Sequence, residues 1–175
     1  MLEDESGFSL VSPLKRSWAP RGHTPAIRTS LQHHQRLNLL GALLISPDGC
    51  RIKLAIRSYR RSLRGEEVVA FLKQVLRIVP GEIVLVWDNH PIHKRQLVQE
   101  FLARHPRVHV YYFPICAPEF NPVEFVWTQL SEYLANFAPH NMIELFNKIQ
   151  KGIARTRNSM KRLTACLKGS ELSWK

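Results

Sequence analysis

The sequence predicts an α/β fold, a mixed five-stranded sheet flanked by helices, antiparallel where the chain begins and parallel further on. Three observations carry that reading. The chain opens on an alternating stretch and continues into two apolar runs joined by an Asp-Gly turn; residues 82–88, "EIVLVWD", are apolar on both faces; and the segments around the later runs repeat their apolar residues at helical spacing.

In "MLEDESGFSLV", Leu2, Asp4, Ser6, Phe8 and Leu10 share one face of a strand and Glu3, Glu5, Gly7 and Ser9 the other, which places Asp4 on the more apolar side. "SPLKRSWAPRGHTP" follows, with three prolines and a glycine, and reads as an irregular loop or hairpin. "LNLLGALLI" and "RIKLAIRSY", joined by "SPDG", form an antiparallel hairpin. Over 65–79, Val68, Phe71, Leu72, Val75, Leu76 and Val79 recur at helical spacing behind Glu66 and Glu67, and Pro80-Gly81 closes the helix. "EIVLVWD" then reads as a central strand covered on each side. A helix near 92–104, a short strand near 108–113 and two helices over about 122–137 and 141–157 complete the domain, leaving 158–175 as a basic tail.

With 175 residues, 45% apolar and 22% charged, the chain fits one folded domain with a proper core. Its net charge of +11 favours polyanionic partners. Cys50, Cys116 and Cys166 are odd in number and contain no C-x-x-C pair, so neither a disulfide framework nor a zinc site is suggested. The longest apolar stretch, residues 37–45, is far shorter than the roughly 20 residues of a spanning helix. The expectation is a soluble cytoplasmic protein with no membrane partner.

Three carboxylates stand apart from the surface ones. Asp4 lies on the apolar face of the first strand, Asp88 ends the central strand, and Glu124 opens a helix in "NPVEFVW". Each has a structural alternative: Asp4 in a frayed terminal strand, Asp88 capping a helix or pairing with a lysine, Glu124 in the capping-box position three residues after Asn121. Acids from separate elements converging on one spot repel unless hard cations hold them, and Mg²⁺ prefers such oxygen ligands. Two ions about 4 Å apart suit an in-line displacement at phosphorus.

"DESGF" at 4–8, "LVWDNHPIHK" at 85–94 and "APEFNPVEFVW" at 117–127 resemble, in that order, the three acidic motifs of DDE transposases, in particular the mariner-related bacterial insertion-sequence family. The pattern D-N-x-x-x-H is met by Asp88, Asn89 and His93, and N-P-x-E-x-x-W by Asn121, Pro122, Glu124 and Trp127. Glu124 follows Asp88 by 36 positions, and "RSWAPRGHTP" is similar to the family segment after the first acid. The resemblance implies an RNase H-like catalytic domain over 1–157, with Asp4, Asp88 and Glu124 as catalytic metal ligands for two Mg²⁺ or Mn²⁺ ions. It further implies DNA cleavage and strand transfer on the nucleoid and action as a homodimer; relatives carry a helix-turn-helix region ahead of this domain for recognising DNA ends, so the chain resembles the catalytic half alone, as one frame of a split gene with a separate helix-turn-helix polypeptide for a partner, a fragment or a remnant.

Asn89 and His93 enter as supporting residues, the first orienting a ligand or substrate oxygen, the second contacting phosphate or packing at a helix start. Trp127 reads as core. Arg57, Arg60, Arg61 and Arg64, and Arg155, Arg157, Lys161 and Arg162, form two basic clusters able to follow a DNA backbone or to remain solvated faces. Two other functions compete: a DNA-binding remnant without activity, and an RNase H-like nuclease acting on hybrids or junctions.

Overall fold

The computed structural model describes residues 1–11, 13–23, 26 and 35–172. Part of the proline-rich loop therefore lies outside the described residues. A five-stranded sheet of order β3-β2-β1-β4-β5 is built from β1 (Leu2–Ser9), β2 (Arg36–Ile45), β3 (Ile52–Tyr59), β4 (Ile83–Trp87) and β5 (Val108–Tyr112). β1, β2 and β3 are antiparallel neighbours, and β4 runs parallel to both β1 and β5. The expected mixed sheet is observed, with the expected hairpin as β2–β3.

Alternation along β2 supplies both faces of the sheet. Leu37, Leu39 and Leu43 point to a core shared with α3 (Pro122–Leu134), α4 (Met142–Arg157) and α5 (Met160–Gly169). Leu40, Ala42 and Leu44 point the other way, to a core closed by α1 (Gly65–Ile78) and α2 (Gln96–Ala103). A strand buried on both faces loses polar alternation, which is why β2 reads as one apolar run.

Four differences from the sequence reading have local causes. β4 is covered by α1 and α2 through Ile83, Leu85 and Trp87, but Val84 on its other face is 54% exposed, because α3, α4 and α5 pack over β1, β2 and β3 instead. α2 starts at Gln96 and not near 92, since residues 91–94 form a turn held by His93 N–H to His90 O and Lys94 N–H to Pro91 O. α3 ends at Leu134, with Asn136 in the left-handed region at φ 60°. The basic tail is a helix: in α5, Leu163, Cys166 and Leu167 stand at i, i+3 and i+4 and bury themselves against α3 and α4, while Lys161 and Lys168 remain outside.

The start of α3 is tied directly to the central strand. Asn121 caps it, its Oδ1 accepting the Val123 N–H at 3.1 Å, and Pro122 occupies the first helical position. The Asn121 amide also donates to the Glu3 carbonyl at 3.1 Å in a buried contact. This double use of one side chain sets the first turn of α3 beside β1. Among the described residues no helix is long and apolar enough to cross a membrane.

Candidate active site

Asp4 is delivered by the middle of β1 onto the α3 side of the sheet, where it is 8% exposed. Its Oδ2 accepts the indole N–H of Trp127 at 2.8 Å, so Trp127 is core, as read, and also a fixed donor. The indole reaches that position because Asp4 pairs across the ladder with Gly41: a Cβ at Gly41 would lie 2.5 Å from the Trp127 ring. Burial, then the charge of Glu124, pushes the Asp4 carboxyl up to about 8; the Trp127 hydrogen bond opposes this and the Glu5 charge adds to it.

Asp88 follows the last residue of β4 and is half-exposed. Its Oδ1 accepts the His90 N–H at 2.9 Å, an Asx turn that fixes the carboxylate as the chain leaves the strand. The His93 imidazole beside it, and next the His90 N–H, hold it below the usual carboxylate range although partial burial works the other way. Asn89 is anchored to the sheet. Its amide donates to Phe113 O at 2.9 Å, tying the end of β4 to the end of β5.

Glu124 stands in the first turn of α3, where a carboxylate also suits the positive end of the helix. Burial and the Asp88 charge push its carboxyl up. Asp4, Asp88 and Glu124 line one groove of about 640 Å³, whose other walls carry Arg36, Arg60 and Arg61. Behind it a smaller hollow of about 220 Å³ is lined by the same three acids with Asn89, His90 and Cys116. The three acids singled out in the sequence thus meet, although they come from β1, the end of β4 and α3.

A fourth acid, Glu5, joins Asp4 and Asp88. One carboxylate oxygen each of Asp4, Glu5 and Asp88 lies within 4.8 Å of the others. Glu5 and the buried Glu3 were passed over in the sequence because the strand reading assigned their face to the less apolar side. The available signal was their shared parity, which puts both on the side facing α2, near His93. Of the two readings of His93, packing agrees with the structure and phosphate contact does not: the residue is fully buried, stacked on Trp87 with ring centroids 4.1 Å apart. His90, set aside in the sequence, lines the groove.

The basic clusters divide. Arg60 and Arg61 line the groove, with Arg61 also paired to Glu67, and Arg36 joins them unpredicted. Arg57 donates to Ala70 O and Arg64 precedes α1; neither lines the groove. Arg155 lies over the Tyr133 ring and Arg157 donates to Leu54 O, so these, with Lys161 and Arg162, belong to the α4–α5 side and not to the groove.

Residues 1–147 match a family model described as the DDE superfamily endonuclease. The insertion element IS630 uncharacterized 39 kDa protein of Shigella sonnei is 28% identical over 149 residues, an alignment that covers 85% of this chain and 42% of that protein. The chain therefore spans about two-fifths of the length of this relative. Among solved structures, the mariner Mos1 paired end complex with Mg is similar at a TM-score of 0.63 and 13% identity, covering 99% of this chain and 56% of that one. The Mos1 strand transfer complex is similar at a TM-score of 0.56 and 15% identity, covering 99% and 55%. At these identities the likeness establishes the fold, which is RNase H-like.

Proposed function

The chain belongs to the DDE superfamily of endonucleases, and from that premise we propose that it is the catalytic domain of a DNA transposase, cutting phosphodiesters and joining the freed 3′ hydroxyl to target DNA. The observation that carries this reading is the convergence of Asp4, Asp88 and Glu124 from three elements onto one groove with arginines on its other walls.

The groove suits hard divalent cations. Its acids are crowded, and the fold pushes the carboxyls of Asp4 and Glu124 up through burial and mutual repulsion, a cost that a bound cation reverses. Asp4, Asp88 and Glu124 would hold two Mg²⁺ or Mn²⁺ ions, which at such a site lower the barrier to attack at phosphorus by activating the attacking hydroxyl and stabilising the leaving oxygen. The chain's own residues supply placement. Trp127 fixes Asp4, the Asx turn fixes Asp88, and the Asn121 cap fixes the first turn of α3 that bears Glu124. Arg36, Arg60 and Arg61 offer donors for phosphate oxygens along the groove. Pairing of two copies, and end recognition by a helix-turn-helix polypeptide, complete the reading on family resemblance alone; the place of action is then the nucleoid.

The test is nicking of terminal-repeat DNA by the purified chain with Mg²⁺ or Mn²⁺. Metal-dependent nicks that vanish in Asp88→Ala support the reading. A nick that needs no metal, or that survives Asp88→Ala, overturns it. Binding of DNA with no metal-dependent nick or gain in stability instead favours the DNA-binding remnant.

A further inference from the structure

Beside the groove, Glu3 and Glu5, on the other face of β1 from Asp4, and His93 form a second cluster, in which the imidazole stands within ion-pair distance of the carboxylates without a well-directed hydrogen bond to any of them. The side chains of Glu3 and His93 are each 1% exposed. Neither carboxylate oxygen of Glu3 and neither ring nitrogen of His93 makes a hydrogen bond, nor does Glu5 Oε1. Buried polar atoms are almost always hydrogen-bonded, so a fully buried Glu3 carboxyl with neither oxygen hydrogen-bonded calls for a partner.

The distances indicate what that partner is. His93 Nε2 lies 3.1 Å from Asp88 Oδ1, 3.3 Å from Glu5 Oε1 and 3.8 Å from Glu3 Oε2. One N–H serves one acceptor well, and here its direction serves none of the three. Four ligand atoms around one tetrahedral ion, each about 2.1 Å from it, stand about 3.4 Å from one another, the middle of this set. One ligand atom each from Glu3, Glu5 and His93 also lies within 4.8 Å of the others.

We propose that Glu3, Glu5 and His93, completed by Asp88, bind a divalent transition-metal ion of the zinc or manganese class, at a site that adjoins the hard-cation groove of Asp4 and Glu124 and shares Glu5 and Asp88 with its wall. An imidazole among carboxylates suits such an ion better than Mg²⁺, which favours oxygen ligands and retains water. The ring is held for coordination by stacking on Trp87, itself fully buried, with an interplanar angle of 22°. Entry is through the groove, where Glu5 and Asp88 are part of the wall, their side chains 17% and 48% exposed. The site stands whether or not the groove cleaves DNA, and the shared Asp88 would bridge the two.

The test is titration of the chelator-stripped chain with Co²⁺, whose visible absorption rises several-fold in a four-coordinate site containing nitrogen. The Asp4→Asn/Glu124→Gln double variant removes two groove acids and leaves the buried cluster intact. It is expected to lose nicking yet keep the band, which separates this proposal from the reading of the groove. Glu3→Gln and His93→Gln are expected to weaken Co²⁺ binding at this band by more than about tenfold. Absence of the band in the double variant, or its persistence in either single variant, overturns the site. Should the single variants fail to fold, X-ray absorption of the wild-type chain loaded with one equivalent of Zn²⁺ decides: imidazole scattering supports the site, and an oxygen-only shell overturns it.

Discussion

Asp4 and Glu3 are neighbours on β1, yet they face opposite sides of the sheet and meet opposite treatment. Asp4 opens to the groove and is held by a donor, the Trp127 indole, whose approach depends on the bare Cα of Gly41. Glu3 points toward His93 and α2 in a closed core, and only its backbone is held, by Asn121. Both carboxyls are pushed up, Asp4 by burial and then Glu124, Glu3 by burial and then Glu5. Asp88 belongs to both sides, lining the groove while its Oδ1 lies 3.1 Å from His93. Placing a carboxylate at a sheet's centre through strand alternation commits its chain neighbours to the other face. Here that face holds a second ionisable cluster.

The sharpest way to break the comparison is to remove the residue the two clusters share. Asp88→Ala is expected to lower metal-dependent cleavage by at least about 10³-fold, because it takes a ligand from the groove. The same change leaves the imidazole with two carboxylates instead of three. Single-turnover nicking at saturating Mn²⁺ measures it, and a loss smaller than about tenfold would show that the groove works without Asp88.

How much of this was legible from the sequence differs between the two sides. The groove side was readable because each of its acids breaks a local pattern: Asp4 interrupts an apolar face, Asp88 ends an apolar run, and Glu124 follows an Asn-Pro helix start. Glu3 and Glu5 break no pattern, since alternating charges on the far side of a terminal strand are what a solvent-facing edge would carry. Their burial follows from β1 lying third in the sheet between β2 and β4, a tertiary fact that one strand's own alternation does not contain. The helix of residues 160–169 was hidden in the same way, its buried Leu163, Cys166 and Leu167 interleaved with Lys161, Arg162, Thr164 and Lys168 until α3 and α4 provide a surface for them.

A smaller effect is expected from changing what holds Asp4 while keeping Asp4 itself. Trp127→Phe retains most of the ring volume and deletes the N–H, so Asp4 loses its only side-chain donor among the described residues. The expected result is about 10- to 100-fold slower cleavage, the scale of a misplaced catalytic group, with about 1 to 3 kcal/mol of lost stability from the broken bond and the ring's smaller size. Gly41→Ala reaches the same contact from below, since its new methyl would overlap the Trp127 ring and force it to shift. Overpacking of this type costs about 1 to 3 kcal/mol. If either variant matched the wild type in rate, the indole would be packing only, and the contrast between a held Asp4 and an unheld Glu3 would lose its functional meaning.

The smallest effect is expected on the closed side, and it sharpens the contrast most. In the metal-stripped protein, burial and then the Glu5 charge push the Glu3 carboxyl well above the usual carboxylate range, although the nearby His93 works the other way. Glu3→Gln replaces the carboxyl with a neutral group of the same shape, and neither oxygen has a hydrogen bond to lose. Its thermal midpoint without metal should therefore match the wild type to within about 1 kcal/mol of stability, whereas Asp4→Asn unbalances the Trp127 contact and should cost more. With Zn²⁺ or Mn²⁺ added, the order should change: the wild type gains stability from an ion bound at the buried cluster, and Glu3→Gln gains less. Denaturant titrations of both chains, with and without metal, read the two halves together. A large loss for Glu3→Gln in the stripped protein would mean that its carboxylate is charged and paired with His93, making the buried cluster an ion pair already complete without a metal.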